Sequence, residues 1–202
     1  MKKNIILTAL AVLALFGTAF APAQVSVGSP APGFTLPDAQ GVSRSLSEFS
    51  GKVVILEWTN PDCPFVKKHY DSKNMQALQE KYIARGAVWL SICSSAPGKQ
   101  GHYSAAEWND ILGRQGSRAT ALLLDPEGRA GLAYAAKTTP HMFVIDAEGT
   151  LVYDGAIDDQ PSTRTDDIPG AKALLADAAD AALAGQPVPV PKTAPYGCSV
   201  KY

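Results

Sequence analysis

The chain has 202 residues, of which 46% are hydrophobic and 18% charged, and its 18 basic and 19 acidic residues give a formal net charge of −1. A chain of this length and hydrophobicity can bury a full core, so it does not need disulfide bonds to fold. It carries no basic block that could neutralise a run of phosphates, and we therefore expect no nucleic acid partner.

The first residues have the pattern of an export signal. Two lysines precede the apolar run 5–20, and the small residues Ala21 and Ala23 follow it. The apolar run is shorter than the ~20 residues that span a bilayer, which favours a cleavable signal over a membrane anchor. We predict a signal peptide over residues 1–23, a periplasmic location, and no stable membrane insertion after cleavage.

Strand-like and helix-like segments alternate along the remaining chain, which predicts an α/β fold. Apolar runs and turn residues predict strands and a hairpin, and helical spacing predicts a helix that Asp71-Ser72 can break in two. In chain order the predicted elements are strand 53–58, helix 64–82, strand 88–93, strand 121–125, a short helix to about residue 136, the hairpin 142–146 with 150–154, and helix 171–184.

These elements predict one domain over residues 24–185, followed by a tail over residues 186–202. The tail carries Pro187, Pro189, Pro191 and Pro195. This proline content favours an extended polyproline conformation over a helix.

Cys63 has the sequence context of a reactive thiol. It follows the strand 53–58 and directly precedes Pro64, at the predicted start of a helix. Unpaired N–H groups and the positive end of the helix dipole stabilise a thiolate at such a position. Lys67 can add favourable charge, whereas Asp62 opposes it. We therefore predict a nucleophilic thiol with a lowered pKa, open to solvent; the alternative is an inert packed cysteine.

Several segments resemble thioredoxin-like proteins. The segment WTNPDCPFV, residues 58–66, resembles their active-site turn, and Thr139-Pro140 before a strand resembles their cis-proline loop. This resemblance implies a thioredoxin-like fold with a central mixed sheet flanked by helices. It also implies that Pro140 is cis and faces Cys63, so that the Thr139 backbone can pair with an extended substrate.

Two further segments narrow the resemblance. GSPAPGFTLPDAQGVSRSL, residues 28–46, is similar to the N-terminal approach of the peroxiredoxin and thiol–disulfide reductase branch. CPFVKKHY together with the C-terminal PYGCSVKY resembles a peroxiredoxin-like group of bacterial redoxin-domain proteins. The resemblance covers most of the chain after residue 23.

The sequence departs from both standard mechanisms of these families. Val66 stands where a thioredoxin-type reductase has its second cysteine. Asn60 stands where a peroxiredoxin has the threonine three residues before its peroxidatic cysteine. Neither mechanism can therefore be transferred whole to Cys63.

A second thiol can come from Cys198 or from Cys93. An extended tail at ~3.1 Å per residue reaches roughly 34 Å from Pro187, whereas a domain of this size has a radius of gyration of about 16 Å, so Cys198 can return to the active-site face. A Cys63–Cys198 disulfide, a free Cys198 and an intermolecular bond all stay open. Cys93 ends a predicted central strand, where a packed apolar thiol is expected.

Other groups give weaker signals. His141 follows Pro140 and is a candidate base near Cys63, and Glu57 is a candidate buried acid six residues before it; the alternatives are a structural histidine and a surface glutamate. The histidines are scattered, and segment 94–101 lacks the spacing of a phosphate-binding loop. We therefore predict no metal site and no cofactor.

Three functions remain in order of preference. The first is a thiol–disulfide oxidoreductase that acts through Cys63 on protein thiols and disulfides, with an unassigned electron donor. The second is a peroxidase in which a small peroxide oxidises Cys63 to sulfenic acid and Cys198 resolves it. The third is a binding module that holds a partner segment near Pro140 without catalysis.

Overall fold

The computed structural model describes residues 25–202, so the predicted signal peptide over residues 1–23 lies outside the described residues. The strands are β1 Thr35–Pro37, β2 Ser43–Ser45, β3 Val54–Trp58, β4 Val88–Cys93, β5 Ala121–Leu124, β6 Thr138–Thr139, β7 His141–Ile145, β8 Leu151–Gly155 and β9 Cys198–Ser199. The α-helices are α1 Pro64–Asp71, α2 Asn74–Ala84, α3 Ala105–Gln115, α4 Arg129–Ala133 and α5 Leu174–Leu183.

A mixed sheet forms the centre of the domain. Within residues 25–202 it has five strands in the order β5-β4-β3-β7-β8. Strands β3, β4 and β5 run parallel, while β7 is antiparallel to both β3 and β8. All five residues of β3 are buried, as expected for a central strand covered on both faces. The predicted α/β fold with a mixed central sheet is confirmed.

The two faces of the sheet carry different layers. Alternate residues of β3 point to opposite faces: Ile55 joins an apolar cluster with residues of α1, α2 and α5, whereas Leu56 joins a cluster with α4 and the N-terminal segment 25–49. The active-site helix α1 therefore packs on the same face as α2 and the closing helix α5.

The break between α1 and α2 and the hairpin of β7 and β8 lie where the sequence predicts them. Helix α3 is not among the predicted elements. The chain turns between α1 and α2 at Lys73, whose φ of 64° is left-handed. Helix α3 begins with a capping box in which Ser104 accepts from the Glu107 amide and the Glu107 carboxylate accepts from the Ser104 amide. Trp108 and Ile111 are buried and Leu112 packs beside them, so the segment has apolar residues at i, i+3 and i+4 as well as a capping box.

The tail after α5 folds back over the domain. Its first part runs along β8, where the Asp154 amide donates to the Pro191 carbonyl at 3.1 Å. Its last part crosses the N-terminal end of α1 and ends as β9 against β6. The tail thus brings residues at the very end of the sequence to the helix that follows Cys63.

Residues 25–202 contain no helix with the length and apolar character that a bilayer crossing requires.

Candidate active site

Cys63 occupies the N-cap of α1. Its backbone is extended, with φ −72° and ψ 123°, and Pro64 takes the first helical position, where the missing N–H costs no hydrogen bond. The Lys67 amide donates to the Cys63 carbonyl at 2.9 Å, so the helix hydrogen bonds start at this residue. The geometry predicted from the sequence, with a thiol where a strand gives way to a helix, is present.

Thr139 and Pro140 lie against the thiol. The peptide bond between them is cis, as predicted. The Cys63 Sγ donates to the Thr139 carbonyl oxygen at 3.0 Å. The Thr139 Oγ1 is buried and has no hydrogen-bond partner among the described residues. A buried hydroxyl without a partner is unusual, and here it is within reach of a thiolate at Cys63.

The C-terminal strand brings Cys198 to the same place. Strand β9 pairs antiparallel with β6, and in this register Cys198 lies opposite Thr139. The Cys198 side chain is within hydrogen-bonding reach of the Cys63 sulfur. The three cysteines, all within the described part of the chain, are free thiols. Of the two candidates for a second thiol, the structure brings Cys198, and not Cys93, to Cys63.

The environment gives the two thiols opposite acidities. Burial by itself raises the pKa of Cys63, but the Cys198 thiol, the Thr139 hydroxyl and the backbone amides of Cys198 and Val66 can donate to the sulfur once it is ionised, and together they lower the pKa below its ordinary value. Burial and the neighbouring Cys63 sulfur raise the pKa of Cys198. Cys63 is therefore the thiol that ionises first, and Cys198 keeps its proton and donates it toward the thiolate.

Cys63 is sealed in this conformation. Its exposed fraction is 0%, whereas Cys198 above it is partly exposed. The expectation of a thiol open to solvent is therefore wrong for the closed molecule. The physical reason is the long-range return of the tail, whose β9 strand covers the Thr139 side of the sulfur.

The charged neighbours predicted to tune Cys63 are not among the main causes of its lowered pKa. Lys67 points to solvent and is not among the main causes of the lowered pKa. Asp62 accepts hydrogen bonds from the Tyr103 hydroxyl at 2.9 and 3.0 Å. The acidity of Cys63 is thus set by neutral donors rather than by ion pairs.

His141 is not placed as a base for Cys63. One ring nitrogen, Nδ1, accepts from the Lys137 amide at 3.2 Å, and the other, Nε2, lies 2.8 Å from Asp154 Oδ1. With Nδ1 accepting, the proton resides on Nε2 and is donated to Asp154. Burial lowers the pKa of His141. Both nitrogens are thus engaged in structural contacts, as in the alternative given above.

Glu57 is a buried acid rather than a surface residue. Its exposed fraction is 0%, and its carboxyl group accepts from Tyr70, Gln79, Trp89 and Ser91 at distances of 2.9 to 3.4 Å. Burial raises its pKa despite these donors. The side chain belongs to the face of the sheet that α1 and α2 cover.

A polar cluster that sequence reasoning missed anchors the tail beside α1. The Tyr196 hydroxyl donates to Asp158 Oδ1 and lies 3.3 Å from His69 Nε2, while its ring packs edge-on against Phe65 at 5.9 Å. The Lys68 Nζ lies 3.6 Å from Asp158 Oδ2. Burial lowers the pKa of His69 to about 4, which leaves Lys68 as the cation opposite Asp158. No local sequence pattern marks this cluster, because its members come from distant segments.

Cys93 lies apart from this site. It is buried with Trp108, Ile111 and Leu122, and its Sγ donates to the Gly101 carbonyl at 3.4 Å. Burial raises its pKa. These features fit the packed apolar thiol expected from the sequence. Residues 25–202 also contain no group of three or more metal-ligating side chains that could hold an ion.

The AhpC/TSA family model matches residues 27–154, more than half of the chain. The chain belongs to the AhpC/TSA family. The match includes β1 to β7, α1 to α4, Cys63 and the Thr139–Pro140 bond, and it ends within β8, before the tail that carries Cys198.

Relatives of this AhpC/TSA chain include thiol–disulfide proteins. The chain is 26% identical over 151 residues to the thiol:disulfide interchange protein DsbE of Allochromatium vinosum, covering 72% of this chain and 77% of that protein. A hypothetical protein from Sinorhizobium meliloti 1021 has a similar structure, with a TM-score of 0.73, 25% identity, and coverage of 89% of this chain and 96% of that one.

A third comparison concerns the fold alone. The thioredoxin domain of a thiol-disulfide oxidoreductase from Bacteroides vulgatus superposes with a TM-score of 0.51 at 18% identity, covering 73% of this chain and 98% of that one. The predicted thioredoxin-like fold is therefore confirmed.

The two positions at which this AhpC/TSA chain departs from the standard motifs have structural roles. Val66 is fully buried in the apolar cluster under α1. The Asn60 side chain joins two loops, because its Oδ1 accepts from the Asp62 amide at 2.9 Å and its Nδ2 donates to the Gln100 carbonyl at 3.3 Å. Neither position supplies a second thiol or a hydroxyl, so the groups that face Cys63 are those of Thr139 and Cys198.

Proposed function

We propose that the protein catalyses thiol–disulfide exchange with cysteines of other proteins, with Cys63 as the nucleophile and Cys198 as the second thiol. The observation that carries this proposal is the pairing of Cys198 with Thr139, which sets a thiol of raised pKa beside a thiol of lowered pKa. The similarity to a thiol:disulfide interchange protein supports the same reaction class.

The reduced protein would act in two steps. The Cys63 thiolate attacks one sulfur of a partner disulfide, forms a mixed disulfide, and releases the other partner sulfur as a thiolate, which takes a proton. The Cys198 thiol then loses its proton and attacks the Cys63 sulfur, which releases the second partner thiolate. The partner gains two electrons and two protons, and the protein retains a Cys63–Cys198 disulfide. A dithiol reductant returns it to the starting state, and the reverse sequence oxidises a partner dithiol.

We place this activity in the periplasm because residues 1–23 have the pattern of a cleavable signal peptide. Protein disulfides persist in such an oxidising compartment, so substrates are present there. Cell fractionation with mass spectrometry of the mature N-terminus tests the location. A cytoplasmic protein that still begins at Met1 would contradict it.

Cysteine variants test the exchange reaction. Insulin disulfide reduction with a dithiol reductant should be lost in Cys63→Ser and retained in Cys93→Ser, because Cys93 lies in a separate cluster. Cys198→Ser should accumulate the mixed disulfide between Cys63 and its partner, detectable by mass spectrometry without reductant. Full activity in Cys63→Ser would refute the proposal.

The peroxidase alternative shares both cysteines but lacks the usual peroxide contact. The side chain three residues before Cys63 is Asn60, and it is engaged in joining two loops. Trapping of a Cys63 sulfenic acid by dimedone after peroxide, together with no insulin reduction, would favour the peroxidase over the exchange reaction.

A further inference from the structure

The last seven residues, 196–202, form a segment that follows the active-site face from α1 to α4; we call it the terminal segment. Beyond the β6–β9 pairing, the Val200 amide donates to the Lys137 carbonyl at 3.0 Å, and the Ala96 amide donates to the Lys201 carbonyl at 2.8 Å. The segment is thus held as an added strand by main-chain hydrogen bonds. These bonds pair the backbone groups along the edge of β6, which lies next to Cys63.

The segment ends in a slot for an aromatic ring. The Tyr202 hydroxyl donates to the Ala136 carbonyl at 2.8 Å. The ring lies so close to Gly128 and Gly131 that a Cβ at Gly128 would be 2.6 Å from Tyr202 Cδ1. The two glycines therefore leave room for this ring, and larger side chains would close the slot.

The segment lies on the surface, while the groups beneath it are buried. Every residue from 196 to 202 is partly or fully exposed, whereas Thr139 is 2% exposed and Cys63 is 0% exposed. Three of its side chains, Tyr196, Cys198 and Val200, pack against the edges of the two main apolar clusters. Detaching this strand therefore uncovers those edges but leaves the buried residues of both clusters in place. Detachment would bare the Cys63 sulfur and the free edge at Thr138–Thr139 together.

We propose that the terminal segment is a detachable strand that occupies the docking groove of the protein partner and keeps Cys63 closed until an extended, cysteine-bearing segment of that partner displaces it. This inference rests on the proposed exchange reaction. A partner segment that fits the vacated groove carries its cysteine opposite Thr139 and an aromatic residue four positions later, as Cys198 and Tyr202 do. After the first exchange step, the return of the segment would bring Cys198 to the mixed disulfide and expel the partner.

Gly197 provides a selective way to open the groove. Its φ of 137° is a conformation that residues with a side chain rarely adopt, and a Cβ there would overlap the Thr139 carbonyl oxygen. In Gly197→Ala the terminal segment should therefore detach while the domain stays folded. Gly170→Ala is the matched control, because an added Cβ at Gly170 meets nothing within 4 Å.

The first test measures access to Cys63 by its rate of alkylation with iodoacetamide, mapped by mass spectrometry. We expect the rate to rise about tenfold or more in Gly197→Ala, and likewise in Tyr202→Ala, because a strained or unanchored strand shifts the opening equilibrium. Gly170→Ala should keep the wild-type rate. Wild-type rates in both Gly197→Ala and Tyr202→Ala would overturn the closure.

The second test asks what the groove binds. The probe is a synthetic peptide with the sequence of residues 195–202 whose cysteine carries a thionitrobenzoate leaving group. The Cys63 thiolate attacks the peptide sulfur, and thionitrobenzoate leaves as a coloured anion. With a full-length Gly197→Ala/Cys198→Ser chain, the peptide should react about tenfold faster than a scrambled peptide with the same composition, because main-chain pairing and the aromatic slot position it. Equal rates would overturn the proposed partner chemistry.

The results distinguish a failure of the exchange reaction from a failure of the closure by the terminal segment. If the alkylation rate responds to Gly197→Ala but insulin is not reduced, the closure stands and the exchange reaction is refuted. If insulin is reduced through Cys63 but alkylation does not respond, the exchange reaction stands and the closure is refuted.

Discussion

The buried hydroxyl of Thr139 allows a direct test of how the site stabilises its thiolate. Thr139 Oγ1 has no hydrogen-bond partner within the described region when Cys63 is protonated, yet its hydrogen bond contributes to the lowered pKa of Cys63. Thr139→Val keeps the shape of the side chain and removes only this donor. The variant should therefore lose a contact that matters for the charged sulfur alone.

The expected size follows from the burial of the pair. Cys63 is 0% exposed, so solvent does not replace the lost donor. A hydrogen bond to a charged group is worth about 1.5–3 kcal/mol, so Thr139→Val should destabilise the thiolate relative to the thiol by about this amount and raise the pKa of Cys63. The ultraviolet absorbance of the thiolate measures this titration, with Cys63→Ser subtracted. An unchanged pKa would refute the role of the hydroxyl.

The same variant makes a signed prediction for stability. Cys63 has a folded-state pKa below its ordinary value of 9.0, so its contribution to stability is fully present above pH 9.0 and is lost as the pH falls through the folded-state pKa. Thr139→Val should therefore be less stable than wild type in the alkaline range. At low pH it should be equally or more stable, because a buried hydroxyl without a partner has been removed. Urea unfolding at both ends of the range checks the change of sign, and a loss that is equal at every pH would contradict it.

Two further predictions concern buried charges near the site. Burial raises the pKa of Glu57 above its ordinary 4.5, so the folded state binds the extra proton and wild type should lose stability as the pH rises above 4.5. Glu57→Gln cannot titrate and should lack this slope in urea unfolding, even if its amide shifts the stability by a constant amount. Parallel pH profiles of the two proteins would contradict the assignment. Lys68→Met should lower the free energy of unfolding by about 3–5 kcal/mol, because Asp158 would remain buried without its cation. Lys67→Met, at the exposed neighbouring position, should change it by less than about 0.5 kcal/mol. Similar losses in both variants by chemical denaturation would show that the buried ion pair is not responsible.

The pKa of Cys63 also depends on whether the terminal segment is attached. One of the donors that lower its pKa is Cys198, which belongs to the terminal segment. When the segment detaches, that donor leaves and burial decreases at the same time. The thiol therefore meets a partner in an environment that differs from the closed one, and only Thr139 and the N-terminal end of α1 act on it in both states.

Local sequence determined the elements and the position of the nucleophile. Apolar runs mark β3 and β4 because central strands are buried on both faces, and the Cys63-Pro64 pair marks the start of α1 because proline costs no hydrogen bond there. The resemblance to thioredoxin-like proteins anticipated the cis bond before Pro140. Helix α3 is not among the predicted elements, although its segment carries two local signals, the capping-box pair Ser104 and Glu107 and the helical spacing of Trp108 and Ile111.

Tertiary structure alone decided which groups meet. Lys67 and Lys68 are the same residue type side by side, but their different directions around α1 leave one in solvent and bury the other against Asp158. The reach of the tail allowed Cys198 to return, but its register opposite Thr139 depends on the Tyr196 anchor and the slot for Tyr202. The sealing of Cys63 has the same origin, because a contact between residues more than a hundred positions apart leaves no periodic or local signal in the chain.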